Sequence, residues 1–365
     1  MPWSASRTVR SVSLATWKYL NKEQAPEVVP WRPRLLVAIV VAVLATVFAY
    51  HQLEGRAWLA SDFEYDLRAA RRLLDGLNPY NDPTARYGLP YPFDAQFPYP
   101  LIAAMVAVPF TAFTSYVGGA LYVGAISGLM AFAVTREGWW RMSLFLSPCY
   151  FVAASVANWS PLLVASAFLP ALFPFALAKP TMFLAIGSQY PNARGFALCV
   201  GIVILSLLVF PSWPIHWLDS VMNQPGGKYQ MPIMAAPVML VVLVGLLWWR
   251  TNRSARLLLL LSFIPQHPFF YDQLLLWLLP KTLGQSLALS FVGWLAYLSW
   301  MGADPAFKPL LAYTPAGPGL DWTAPRFFLP ALVLVAWQAF AEARSRRVPV
   351  PNTTAEGLAP VGSFE

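Results

Sequence analysis

Charge is the first thing this sequence lacks. Only 12% of its 365 residues are charged, where a soluble domain carries about a quarter. That shortage removes the polar coat of a water-facing surface and excludes an ordinary soluble enzyme. Cysteine is scarce as well. Cys149 and Cys199 each sit in an apolar run, as small hydrophobes, and no CxxC or His/Cys spacing marks a metal site. The chain has no nucleotide-binding loop, no dinucleotide-binding glycine pattern, no obvious internal repeat and no small-residue cleavage site after its first apolar run.

Apolar sequence is abundant instead. Hydrophobic residues make up 58% of the chain and mean hydropathy is +0.52. A spanning helix needs roughly 20 apolar residues. The apolar runs predict an all-α polytopic bundle of about twelve spans, within a range of about ten to thirteen. Residues 1–34 form a basic segment whose stretch Val9 to Leu20 suits a helix lying on the membrane surface. Residues 35–343 hold the spans, including a polar loop at 54–98. Residues 344–365 form a cytoplasmic tail expected to be disordered, of which 348–365 is rich in Pro, Thr, Gly and Ala.

The net charge of +8 follows the positive-inside rule rather than pointing to nucleic acid. Arg7, Arg10, Lys18, Lys22, Arg32 and Arg34 precede the first span, and Arg344, Arg346 and Arg347 follow the last. Both termini are therefore expected in the cytoplasm of a multi-pass cell-membrane protein, with loop 54–98 outside. Twelve spans leave one conflict, because Arg136 and Arg141 fall outside unless 99–134 does not make two full crossings. Pro148, Pro161, Pro170, Pro174, Pro180 and Pro265 interrupt the apolar runs and predict kinked helices around a cavity.

The outside loop predicts one amphipathic helix. Ser61 and Glu64 have capping-box spacing, Gly76 and Pro79 mark the stop, and Phe63, Leu67, Ala70 and Leu74 share a face. That face suits either the membrane or the bundle. Asp62 sits at the positive end of the helix dipole and Asp66 one turn on. A carboxylate there suits general-base work on a sugar hydroxyl; the plainer alternative is that Asp62 assists the cap and Asp66 is solvated.

These residues resemble a known family. Asp62, Tyr65, Ala69-Ala70, Leu73-Leu74, Gly76 and Pro79-Tyr80, then Phe97-Pro98-Tyr99-Pro100 and Pro109, look like the polyprenyl-phosphate-sugar-dependent glycosyltransferases of the GT-C class. The likeness is nearest to their actinobacterial mannosyltransferase and arabinofuranosyltransferase group. Lys179-Pro180 matches a Lys-Pro pair of that group, and Gln266 to Gln273 resembles its later polar, aromatic break. Leu101 replaces a second proline, and Asn158-Trp159-Ser160 stands in place of a Gly-Gln-Asn signature.

The resemblance implies a GT-C bundle that moves a hexose or pentose, with mannose favoured, from a polyprenyl-phosphate donor to a lipid or glycan acceptor on the outer face. It implies Asp62 as the base, inversion at the anomeric carbon, and Lys179, His267, Arg71 and Arg72 as cations for the donor phosphate. Asp66, Tyr65, Tyr80 and Tyr99 are the remaining substrate candidates, and no metal or cofactor is implied. Read from the residues alone, Lys179 also suits snorkelling and His267 a helix end. Arg71 and Arg72 suit solvent or headgroups, while Tyr80 and Tyr99 suit an interfacial belt or sugar stacking. A transporter or flippase, or a non-catalytic subunit on the same fold, are the alternatives.

Overall fold

The computed structural model describes residues 29–82, 96–223, 230–267, 269–303 and 319–347. The expected surface helix at Val9 to Leu20, the tail at 348–365 and part of loop 54–98 lie outside the described residues. Among the described residues the chain is all-helical, and its single extended pairing is an isolated bridge between Gln230 and Gln266.

Three helices are long and apolar enough to cross a membrane: Trp31–Gly55, Ser115–Glu137 and Leu320–Arg344. Ala193–Val209 and Trp213–Met222, bent by 95° at their junction, make a fourth if they form one span. The other apolar runs that had suggested about twelve spans fold as shorter pieces, among them Pro148–Ser155, Ser160–Phe168 and Pro180–Gln189. Proline placement is the reason. Pro148, Pro161, Pro170, Pro174 and Pro180 occupy first turns, where the missing N–H costs nothing. These prolines start new helices rather than kink long ones.

Trp31–Gly55 turns Leu36, Ile39, Val43 and Leu44 outward and buries Ala38, Ala45 and Ala49. The small face packs along Ser115–Val134, where glycine is required. A Cβ on Gly124 would meet Thr46 Oγ1 at 1.9 Å, and one on Gly128 would meet the Ala42 Cβ at 2.9 Å. This is the close small-residue packing that holds helices together in lipid, where burial of apolar surface gives little drive.

The acidic helix runs Asp62–Leu74. Phe63, Leu67 and Ala70 are fully buried, and Phe63 stacks on Tyr122 of Ser115–Val134 at 3.7 Å. The face therefore docks on the bundle, and Leu74, at 60% exposure, lies off it. The stop is as expected: Gly76 has φ +70° and Leu77 N–H donates to Arg72 O at 2.8 Å, closing a Schellman turn. The capping box does not form. Ser61 is left-handed at φ 50°, which turns its hydroxyl away from the helix, and Glu64 accepts from Ala60 N–H instead.

Arg136 lies at the end of the molecule away from Asp62. Leu101–Ala107 and the following turn pack against the acidic helix, with Phe110 edge-on to Phe63 at 5.5 Å, and Arg71 reaches Ser115 Oγ. That segment stays at the acidic helix's end of the molecule. Only Ser115–Val134 runs to the other end, where Arg34 donates to Phe132 O and Arg136 to Phe168 O. Arg136 and Arg34 thus share one end, opposite Asp62.

Candidate functional site

The chain reaches Asp62 through a costly path. Ala57, Leu59 and Ser61 all have positive φ, at 55°, 52° and 50°. Two more such residues precede the side chains that meet Asp62: Ala157 (φ 51°) comes before Asn158, and Phe270 (φ 22°) before Tyr271. Left-handed non-glycine residues cost on the order of 1–3 kcal/mol each and persist where the surroundings fix them, commonly at functional sites.

Asn158 Nδ2 donates to Asp62 Oδ2 at 2.8 Å. Asn158 Oδ1 accepts from the N–H and hydroxyl of Ser160 at 3.0 and 2.8 Å and from Lys179 Nζ at 3.4 Å. The Ser160 N–H and the ammonium are donors only, so the amide can present only its NH₂ to Asp62. Tyr271 adds a side-chain hydrogen bond to the same carboxyl. Lys179 Nζ forms an ion pair with Asp272 Oδ1 at 3.0 Å and lies 5.0 Å from the Tyr271 ring centre. Asp272 Oδ2 accepts from the backbone N–H of His267 at 2.9 Å, and the His267 ring stacks on Phe269 and Tyr271. Asp62, Lys179 and His267, far apart in sequence, thus belong to one hydrogen-bonded cluster.

Withdrawal from water pushes the Asp62 carboxyl up to about 6, and Asp272 adds to the rise. The Asn158 amide, the Lys179 charge and the Tyr271 hydroxyl offset part of it. Asp66 is fully buried behind it and accepts from Trp159 Nε1 at 3.0 Å. Burial above all, with Asp62 adding to it, holds Asp66 well above the usual carboxylate range despite that bond. Lys179 is paired with Asp272. Asp62, at about 6, is a carboxyl whose charge changes near neutrality.

The remaining predicted residues sit elsewhere. Arg71 donates to Phe113 O and Ser115 Oγ, and Arg72 to Asn78 O. Both tie down the far end of the acidic helix and are not part of the Lys179 cluster. Tyr80 is buried rather than belted, donating to Tyr99 O at 3.1 Å and stacking on His216. Tyr65 is half-buried against both apolar cores. Asn158, Trp159, Tyr271 and Asp272 lie in the two segments set against the family's motifs, but the sequence assigned them no role in the site. The available signal was Asp272: a carboxylate in an apolar run is as costly as Lys179, and one such acid with one such base suggests a pair.

Compared with protein-family models, curated proteins and solved structures, the chain matches none. What the cluster does has to be read from its chemistry.

Proposed function

We propose that the chain is a multi-pass membrane glycosyltransferase that moves a sugar, with mannose favoured, from a polyprenyl-phosphate donor to a lipid or glycan hydroxyl at the outer face. The observation that carries this is the Asp62 carboxyl, poised near 6 and held by Asn158 and Tyr271 beside the Lys179–Asp272 pair. A base with that pKa is largely ionised at neutral pH and still basic enough to take a proton in the transition state.

In the proposed step the acceptor hydroxyl gives its proton to Asp62. Its oxygen bonds to the anomeric carbon from the face opposite the leaving group, and the anomeric C–O bond breaks. The polyprenyl phosphate leaves with the electron pair. Lys179 has three donor hydrogens; two are spent on Asp272 and Asn158, and the third serves the phosphate as charge builds on it. His267 flanks the same place. Asp66 lies buried behind Asp62 and accepts from Trp159 Nε1.

The membrane setting follows from the helices of spanning length and from an apolar exterior that includes Val200, Ile204, Leu208 and Leu247. Shorter segments complete further crossings in this reading. The twelve residues of Pro237–Trp248 form a 3-10 helix, which at ~2 Å per residue covers roughly 24 Å. The positive-inside rule puts the end with Arg34, Arg136 and Arg256 in the cytoplasm and the Asp62 end outside.

The test is sugar incorporation by membranes given a radiolabelled polyprenyl-phosphate mannose. Asp62→Ala abolishes it without loss of expression or insertion; undiminished incorporation sinks the assignment. The buried Lys179–Asp272 pair and two protonatable aspartates also suit a proton-coupled transporter. Uptake into liposomes without sugar transfer would favour that second reading.

A further inference from the structure

A second polar assembly lies at the opposite end. Lys179 and Gln189 bracket the helix Pro180–Gln189, so the two sites are about 15 Å apart along that axis. There a cavity of about 520 Å³ is lined by Ser188, Gln189, Tyr190, Asn192, Arg253 and Arg256, among others. It opens to the surface.

The two arginines are held in place before any ligand arrives. The Arg253 guanidinium lies 3.6 Å from the Tyr190 ring centre. Arg256 spends Nε on Gln189 Oε1 and Nη1 on Trp249 O, both at 3.0 Å, which leaves Nη2 for a ligand. Tyr190 is also within electrostatic reach of Arg141 and Glu137. Arg141 gives Nη2 to Glu137 at 2.8 Å, while its Nε and Nη1 are shut off from water with no hydrogen-bond partner among the described residues. The Arg141 guanidinium lies over the Trp140 and Phe168 rings, at 4.3 and 5.3 Å from their centres, and is not part of the cavity lining. Of the charged neighbours, Glu137 is the acid, and it is committed to Arg141. Arg136, on the same turn, adds a further positive charge and donates to Phe168 O.

We infer that this cavity is a binding site for a phosphate group. Guanidinium pairs suit phosphate because their forked N–H groups meet two oxygens at once. Trp139 and Trp249 are exposed on the adjoining segments, as aromatic residues are at the headgroup level of a bilayer. A basic pocket at that level suits the phosphate of an anionic lipid, and a free phosphate compound offers the same chemistry. The site does not depend on the sugar-transfer reading.

The experiment uses the full chain, with thermal unfolding followed in phosphatidylcholine nanodiscs with or without phosphatidic acid, and in the plain nanodiscs with inorganic phosphate. Stabilisation by phosphatidic acid alone identifies a lipid phosphate. Stabilisation by inorganic phosphate as well identifies a site open to free phosphate compounds. Arg253→Gln, at an exposed position that the fold tolerates, weakens the apparent affinity about tenfold or more, and Arg256→Gln does the same. Arg250→Gln, outside the cavity, leaves it unchanged. No stabilisation by either probe, or equal loss with Arg250→Gln and Arg253→Gln, overturns the site.

Discussion

Replacing Asp62 with asparagine separates stability from chemistry. A carboxyl held at about 6 instead of its ordinary 3.8 carries ~3 kcal/mol of preference for its neutral form, at ~1.4 kcal/mol per pH unit. Asp62 is partly open to solvent, and screening trims this to ~2 kcal/mol. The sign follows from the raised value. Below pH ~4 the carboxyl is protonated in folded and unfolded chains alike and contributes nothing. Between 3.8 and 6 the unfolded chain ionises while the folded one does not, so stability falls as pH rises. Above 6 the loss is complete. Asparagine mimics the neutral acid, accepts from Asn158 Nδ2 and never ionises. Asp62→Asn is therefore more stable than the parent by ~2 kcal/mol at pH 8, or ~3 °C in melting temperature for a chain of this size. The two converge at pH 4, and the variant transfers no sugar. Parallel melting curves in detergent from pH 4 to 8 check this. A variant less stable at pH 8, or a gap that does not change with pH, refutes the assignment of a strained, ionisable Asp62.

Four further outcomes follow. The rate of transfer rises as pH increases through about 6 and levels off above it, because the ionised form of Asp62 is the base; a rate that falls over that range removes it from that role. Asp66→Asn keeps an acceptor for the buried Trp159 N–H and melts above Asp66→Leu, which strands that donor; equal melting temperatures for the two variants contradict the bond. Lys179→Met strands Asp272 and costs ~3–5 kcal/mol, and adding Asp272→Leu recovers most of it; additive losses in a double-mutant cycle contradict the ion pair. Gly124→Ala forces a Cβ into Thr46 and lowers stability by ~1–3 kcal/mol, with Thr46→Ser giving little relief because the Oγ remains.

The acidic helix was legible because its signals are local. Gly76, Pro79 and the Phe63–Leu67–Ala70 spacing depend only on nearby residues. Its N-terminus departs from the local capping pattern because Ser61 is held at positive φ by the approach from Trp58, a constraint with no local sequence signature. The segments holding the partners of Asp62 stand out as motif positions, but the pairing itself is not legible, for a different reason. Asn158, Tyr271 and Asp272 come from breaks about 100 to 200 positions away, and pairing across such distances is set by packing. The cost of burying Lys179 was legible; what compensates it was not. Proline breaks a helix interior but begins a helix from a first turn, so apolar runs with the pattern of long kinked spans fold as short segments. Leu101–Ala112 is apolar but shorter than a spanning helix, and it packs against the acidic helix, a placement that hydrophobicity alone does not reveal.

The most direct measurement is turnover by the purified chain. Wild-type protein is mixed with polyprenyl-phosphate mannose and a lipid acceptor, and the anomeric configuration of the product is determined by NMR. The account predicts a product inverted relative to the donor and none from Asp62→Asn. Equal turnover by the variant, or a product that retains the donor's configuration, contradicts Asp62 as the base of a direct displacement.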